Sequence, residues 1–258
     1  AGRQKAKFAL FPYVTDDLLH KNAYFTGPVT AIHIEKNNKK YLWQPFSYQL
    51  EPYKKEQNLY KNSLGNRVVF EEINHSLGIT FFYSWQTSEK FGFVRKSSIK
   101  NNNEEPLNIR LVDGLRNILP AGIELRTQQE MSNLANAYKV SECNNEFKYS
   151  LYYMNALLMD RPEPGESLFT NIVWSNFNKN YQVSVDEKSL SEFISTNRFS
   201  ENHLLKGKPG SYLIHIEEKL NSNNQISWYI VADVQKSQKE LTSIIVDVKD
   251  SLIITEKL

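Results

Sequence analysis

Cleaving or transferring a glycosidic linkage takes two carboxyl groups roughly 5–10 Å apart across a cleft. Several carboxylates are candidates for such a role. Glu71 and Glu72 are adjacent in a stretch that reads as a strand, so they point to opposite faces and cannot form the pair by themselves. Asp113, in LVDGL, has Gly114 after it. Two readings stay open there: a binding corner with exposed backbone, or a side chain capping the turn into the Gly-Leu-Arg-Asn segment. Asp160 beside Arg161 reads as a local turn or ion pair, and Asp233 alternates with Ala232 and Val234 on a strand. Trp43, in the proline-interrupted YLWQPF, is expected to be an exposed platform for a sugar ring. Trp85, Trp174 and Trp228 sit in alternating apolar runs and are expected in the core. Arg95 closes the run WQTSEKFGFVR and is a binding candidate at the rim of that turn.

Other chemistries find little support. The five histidines, His20, His33, His75, His203 and His215, are isolated, with no H-x-H or H-E-x-x-H spacing, so no metal site is expected. No glycine-rich phosphate loop and no G-x-S-x-G elbow occur, and no cofactor is expected. The single Cys143 excludes an internal disulfide; in SECNNE it has no basic neighbour to favour a thiolate and reads as inert.

Positioning such groups requires a scaffold. The 258 residues are 40% apolar and 12% aromatic, enough for a sizeable core. With 31 basic and 29 acidic residues the net charge is +2, which gives no pull toward nucleic acid or anionic lipid. No apolar run approaches the roughly 20 residues of a membrane span, and no signal-peptide core is visible. A soluble location is expected, cytoplasmic before periplasmic or secreted.

Residues 78–120 carry the clearest pattern. Ile79, Phe81, Tyr83 and Trp85 share one face at period two and need a second sheet to cover them. Residues 7–14 and 27–35 read as strands, the second with Ile32 and Ile34 opposite Ala31, His33 and Glu35. Asn37-Asn38 marks a hairpin turn, Pro45 and Pro52 push residues 41–53 to an edge or an irregular course, and Leu64-Gly65-Asn66 marks another turn. Thr127 and Glu130 form a T-x-x-E capping box ahead of Met131, Leu134, Ala135 and Tyr138 at helical spacing. Residues 146–159 and 166–175 read as strands around DRPEPGES, 186–195 as a helix capped by Asp186, and 211–219 with 226–234 as a hairpin. Leu241, Ile244, Ile245, Val248 and Leu252 form the stripe of an amphipathic terminal helix. The fold expected is an all-β-dominated, two-sheet antiparallel β-super-sandwich over 1–236 with a few short helices, and a helical linker beginning over 237–258.

Four stretches, Tyr24–Pro28, Asn58–Asn74, Trp85–Arg95 and Leu111–Ile123, resemble the N-terminal, galactose-mutarotase-like super-sandwich of large bacterial glycoside phosphorylases and hydrolases such as cellobiose phosphorylase. In that family a helical linker and an (α/α)6 catalytic barrel follow the sandwich. The resemblance therefore implies a noncatalytic domain that docks on, and shapes the cleft of, a following catalytic domain. It implies an oligo- or disaccharide as ligand and is compatible with a homodimer. Two alternatives are a carbohydrate-binding module with aromatic platforms and a stand-alone mutarotase-like epimerase. The second would need two histidines and a carboxylate converging on a concave sheet face.

Overall fold

The structure, a computed structural model, describes residues 25–47, 51–88, 90–157, 165 and 167–249. The expected strand at 7–14, His20, the Asp160-Arg161 pair and Leu252 lie outside them. The chain runs β1 (Gly27–Lys36), β2 (Lys39–Trp43), β3 (Lys55–Lys61), β4 (Val68–Asn74), β5 (Ile79–Thr87), β6 (Phe93–Asn101) and β7 (Leu107–Ile118). Two short helices follow, α1 (Leu125–Glu130) and α2 (Ser132–Ala137). Then come β8 (Lys139–Cys143), β9 (Ser150–Met154), β10 (Phe169–Asn176) and β11 (Gln182–Ser184). The third helix, α3 (Lys188–Thr196), precedes β12 (Leu204–Lys206), β13 (Gly210–Leu220), β14 (Gln225–Ser237) and α4 (Gln238–Lys249).

These strands make a five-stranded sheet, β11-β13-β7-β1-β2, and a nine-stranded sheet, β12-β8-β9-β10-β14-β6-β5-β4-β3, with antiparallel neighbours throughout. This is the expected super-sandwich. Period-two alternation turns Ile32 and Ile34 of β1, Leu111 and Leu115 of β7, Phe81 of β5, and Trp228 and Ile230 of β14 into the common core. Tyr83 and Trp85 continue the β5 row as half-buried rings against that core. Asn37 and Asn38 both take positive φ, which turns β1 into β2 as the sequence predicts. Gly65, with φ +71°, does the same between β3 and β4.

Each sheet also has an apolar patch on its outer face, and each patch is covered by a helix. Leu190 and Phe193 of α3 lie on Ala31, Val112 and Leu213 of the five-stranded sheet. Ile244 of α4, with Leu241, Ile245 and Val248 half-buried beside it, lies on Phe91, Val94, Ile172, Trp174 and Val231. Burying a side chain such as Phe193 fully contributes about 1.5–3 kcal/mol. Asp186 lies one residue ahead of the N-cap, Glu187, rather than at the cap itself, and its carboxylate accepts the Lys188 N–H at 3.0 Å.

Three expectations fail for identifiable reasons. The capping-box helix is instead two one-and-a-half-turn helices broken at Met131, whose φ/ψ of −132°/44° is not helical, and Thr127 lies inside the first of them. Strands β13 and β14 are not a hairpin. The Asn221–Asn224 turn carries the chain from one sheet to the other, because the apolar sets of both strands require places in the middle of different sheets. Asp113-Gly114 is not a corner but the midpoint of β7. Glycine is required there because a Cβ would run into the carbonyl of Tyr212 on β13.

Candidate functional site

The three side chains singled out for binding all lie inside the sandwich. Asp113, fully buried, points inward from β7 and receives three donors. Thr30 Oγ1 of β1 donates at 2.7 Å, Arg95 Nη1 of β6 at 2.6 Å and Trp228 Nε1 of β14 at 2.7 Å. Arg95 is 1% exposed, and its guanidinium lies 4.8 Å from the centre of the Tyr83 ring. Trp43, expected as an exposed platform, is 0% exposed. Its indole N–H donates to Glu72 Oε1 at 2.9 Å. The proline that interrupts its strand ends β2 and lets the chain fold over the sheet edge, which is why an irregular context misled.

Glu72, also buried, accepts in addition the Phe46 N–H at 2.9 Å and Gln57 Nε2 at 2.6 Å. The two carboxylates are reciprocal. Asp113 of the five-stranded sheet takes an indole N–H from the nine-stranded sheet, and Glu72 of the nine-stranded sheet takes one from the five-stranded sheet. They act as polar staples across an apolar core, each charge held by directed donors. As the sequence predicts, Glu71 points the other way, to Asn58 and Tyr60. Asp233 is also buried and pairs with Lys236 at 3.0 Å.

Open titratable groups gather on the outer face of the five-stranded sheet. One half of that face is apolar and covered by α3. The other half is a polar groove of about 480 Å³, lined by His33, Glu35 and Lys40 with Asn108, Arg110 and Glu217, and bounded by Asn197 at the end of α3. Strand register sets the row: His33 is opposite Arg110, and Arg110 opposite Glu217. Arg110 binds Glu217 through Nε at 2.9 Å and Nη2 at 2.7 Å, and donates from Nη1 to the Asn197 carbonyl at 2.6 Å. His33 Nε2 donates to the Phe193 carbonyl at 2.8 Å. Two donors from the sheet thus reach carbonyls at the C-terminal end of α3: that of Phe193, which also accepts the Asn197 N–H at 2.9 Å, and that of Asn197, the residue that caps the helix.

His215, on β13 and separated from His33 by β7, lies beneath α3 with Nδ1 on Gln182 Oε1 at 2.9 Å and Nε2 3.6 Å from Glu217 Oε1. Phe193 stands between the two histidines, its ring 4.9 Å from His33 and 5.4 Å from His215, while Phe199 stacks on His215 at 5.0 Å. Burial lowers the pKa of both; His215 falls to about 4. Two neutral imidazoles and a carboxylate do converge here, but the aromatic wedge of α3 and Phe199 keeps a ligand from touching both rings. His75 lies elsewhere, against Glu56. No group of three or more metal-binding side chains occurs among the described residues.

Two further groups complete the inventory. Burial raises the Cys143 thiol pKa, in keeping with an inert residue. Sequence reasoning missed Lys139: it is 1% exposed, donates to Gln128 Oε1 at 2.7 Å and has its pKa lowered by burial to about 8. Its place at the head of β8, KVSEC, just after α2, carries no sequence cue to an inward lysine.

No family model and no curated protein matches the sequence. Among solved structures, the chain is similar to a polysaccharide lyase at 9% identity and a TM-score of 0.49, over 92% of this chain and 29% of the other. It is similar to a chain assigned as a kojibiose phosphorylase from the human microbiome at 13% identity and a TM-score of 0.40, over 85% and 24%. A third similar structure, a GalM/aldose epimerase homologue from C. elegans, has 8% identity and a TM-score of 0.37 over 80% and 78%. This chain spans under a third of the lyase and of the phosphorylase. Among the described residues, no helix is long and apolar enough to cross a membrane.

Proposed function

We propose that this chain is a noncatalytic sandwich domain of a carbohydrate-active protein, supporting and shaping the cleft of a neighbouring catalytic domain. One observation carries the reading. The groups able to do chemistry are committed to holding layers together: Arg95 and Asp113 to each other, Trp43 to Glu72, and His33 and Arg110 to the end of α3. The carbohydrate context rests on the resemblance of the four stretches given above. The stripe of α4 fits a helix on the way to another domain: of the stripe's described residues only Ile244 is buried, and Leu241, Ile245 and Val248 are half-buried. A binding module built on aromatic platforms is disfavoured, since Trp43, Trp174 and Trp228 are interior.

A mutarotase-like epimerase is the second reading, favoured by His33, His215 and Glu217 sharing one sheet face. Polarimetry of freshly dissolved aldoses separates the two. The chain is expected to leave mutarotation at its uncatalysed rate and to cleave no glycoside. Catalysed mutarotation that disappears in both His33→Ala and Glu217→Gln would overturn the first reading and establish the second.

A further inference from the structure

We propose that the free edge of β3 pairs with the β3 edge of a second copy of this chain, joining two nine-stranded sheets into one. The edges of a sheet present unpaired N–H and C=O groups, and native proteins blunt them with short strands, charges or covering loops. Three of the four edges here are blunted. Strands β11 and β12 are three residues long, and the Leu42 carbonyl of β2 is taken by Tyr53 Oη at 2.8 Å. Strand β3 is seven residues long and no described strand pairs with its outer side.

Its lysines are turned away from guarding it. Lys55 Nζ is drawn inward to Glu51 at 2.9 Å and Glu72 at 3.7 Å, and the Lys61 chain folds over Gly65 in the hairpin turn. Besides the exposed Glu56, Gln57 and Lys61, the edge shows to solvent Leu59, 62% exposed, with Tyr60 and Leu64 also exposed.

The register follows from hydrogen bonding and charge. The His75 N–H donates to the Lys54 carbonyl and the Asn62 N–H to the Arg67 carbonyl, so even-numbered residues of β3 bond to β4. Lys55, Gln57, Leu59 and Lys61 therefore aim their backbone groups outward. A two-fold pairing about Asn58 would set Lys55 against Lys61 of the second copy, twice, which like charges disfavour. Pairing about Leu59 sets Leu59 against its own copy, Asn58 against Tyr60 and Gln57 against Lys61, with no like charges directly opposite. It also brings the copy's Lys61 toward Glu51 and Glu72, where two carboxylates now share one lysine. A two-fold contact of this kind closes on itself and makes a dimer.

Light scattering and sedimentation of the full chain over a dilution series test this. A mass of twice the 30.0 kDa chain is expected. Leu59→Pro removes an outward N–H that β4 does not use, and Leu59→Lys opposes two charges on the axis. Both should give monomers with unchanged circular dichroism; the lysine variant stands if the proline variant fails to fold. Register is read separately. A Leu59→Cys, Cys143→Ser protein should form a disulfide-linked dimer with diamide, since hydrogen-bonded partners lie about 5.5 Å apart at Cα. An Asn58→Cys, Cys143→Ser protein should not. A monomeric wild-type chain, a dimer that survives both substitutions at Leu59, or association only with a different polypeptide would overturn the proposal.

Discussion

Arg110 and Asp113 stand three residues apart on β7, so they face opposite sides of the five-stranded sheet, and each belongs to an arginine–carboxylate pair. Inward, Asp113 meets Arg95 at 2.6 Å with side chains 0% and 1% exposed. Outward, Arg110 meets Glu217 at 2.7 Å with side chains 35% and 58% exposed. Distance and chemistry are nearly the same; the medium is not. The inner pair has left water, so its charges need every donor around them, and Thr30 and Trp228 supply those from two more strands. The outer pair remains hydrated and screened, and its attraction contributes little. The inner pair fixes how the two sheets meet, whereas the outer one trims the end of a helix.

Breaking the inner pair is expected to have the largest effect. Asp113→Ala strands a guanidinium in the core and should cost about 3–5 kcal/mol in urea unfolding. Replacing both partners, Arg95→Met with Asp113→Leu, should cost far less than the single change. Equal losses in the two proteins would show that packing, rather than the uncompensated charge, dominates. The second staple is next. Trp43→Phe keeps most of the ring but removes the N–H from Glu72, and about 1–3 kcal/mol should be lost. An unchanged midpoint would mean that Phe46 and Gln57 satisfy that carboxylate alone.

Acidity probes the outer face. Burial holds the His215 pKa at about 4 against 6.5 for an ordinary imidazole, so the unfolded chain binds that proton first. Stability contributed by keeping His215 neutral is present above pH 6.5 and is lost as the pH falls from there through about 4. Denaturation midpoints across that window should fall less steeply in His215→Phe than in wild type; parallel profiles would remove His215 as the cause. The smallest effect belongs to the exposed pair: Glu217→Gln should cost under about 1 kcal/mol and less still in high salt. A larger, salt-insensitive loss would mean that the groove side of the sheet is far drier than its exposure suggests.

The sandwich was legible because alternation is a local property. Ile32 and Ile34, or Ile79 and Phe81, declare their face within a few residues. Strand β3, KEQNLYK, was not recognised, since a polar edge strand has no buried face to mark it. The candidate residues were chosen correctly as unusual and misplaced in role. Arg95 and Asp113 lie 18 residues apart and on different sheets, and only the pairing of distant strands makes them partners. The same holds for His33 and His215, which converge through β7 lying between their strands. Residue type showed which side chains were costly to bury; it could not show that they were buried together.

The crossing at Asn221–Asn224 also governs when the molecule can exist. Strand β14, the last of the described strands in chain order, lies in the middle of the nine-stranded sheet, between the run β3 to β6 and the run β12-β8-β9-β10. Until it arrives, both four-stranded halves show an open central edge, with the apolar rows that Trp228, Ile230 and Val231 will later cover. Folding of this sandwich during translation must therefore wait until β14 has emerged, and sequence-distant pairing of this kind is slow. A ribosome stalled before residue 237 would hold two adhesive half-sheets, so β14 serves as the keystone against aggregation.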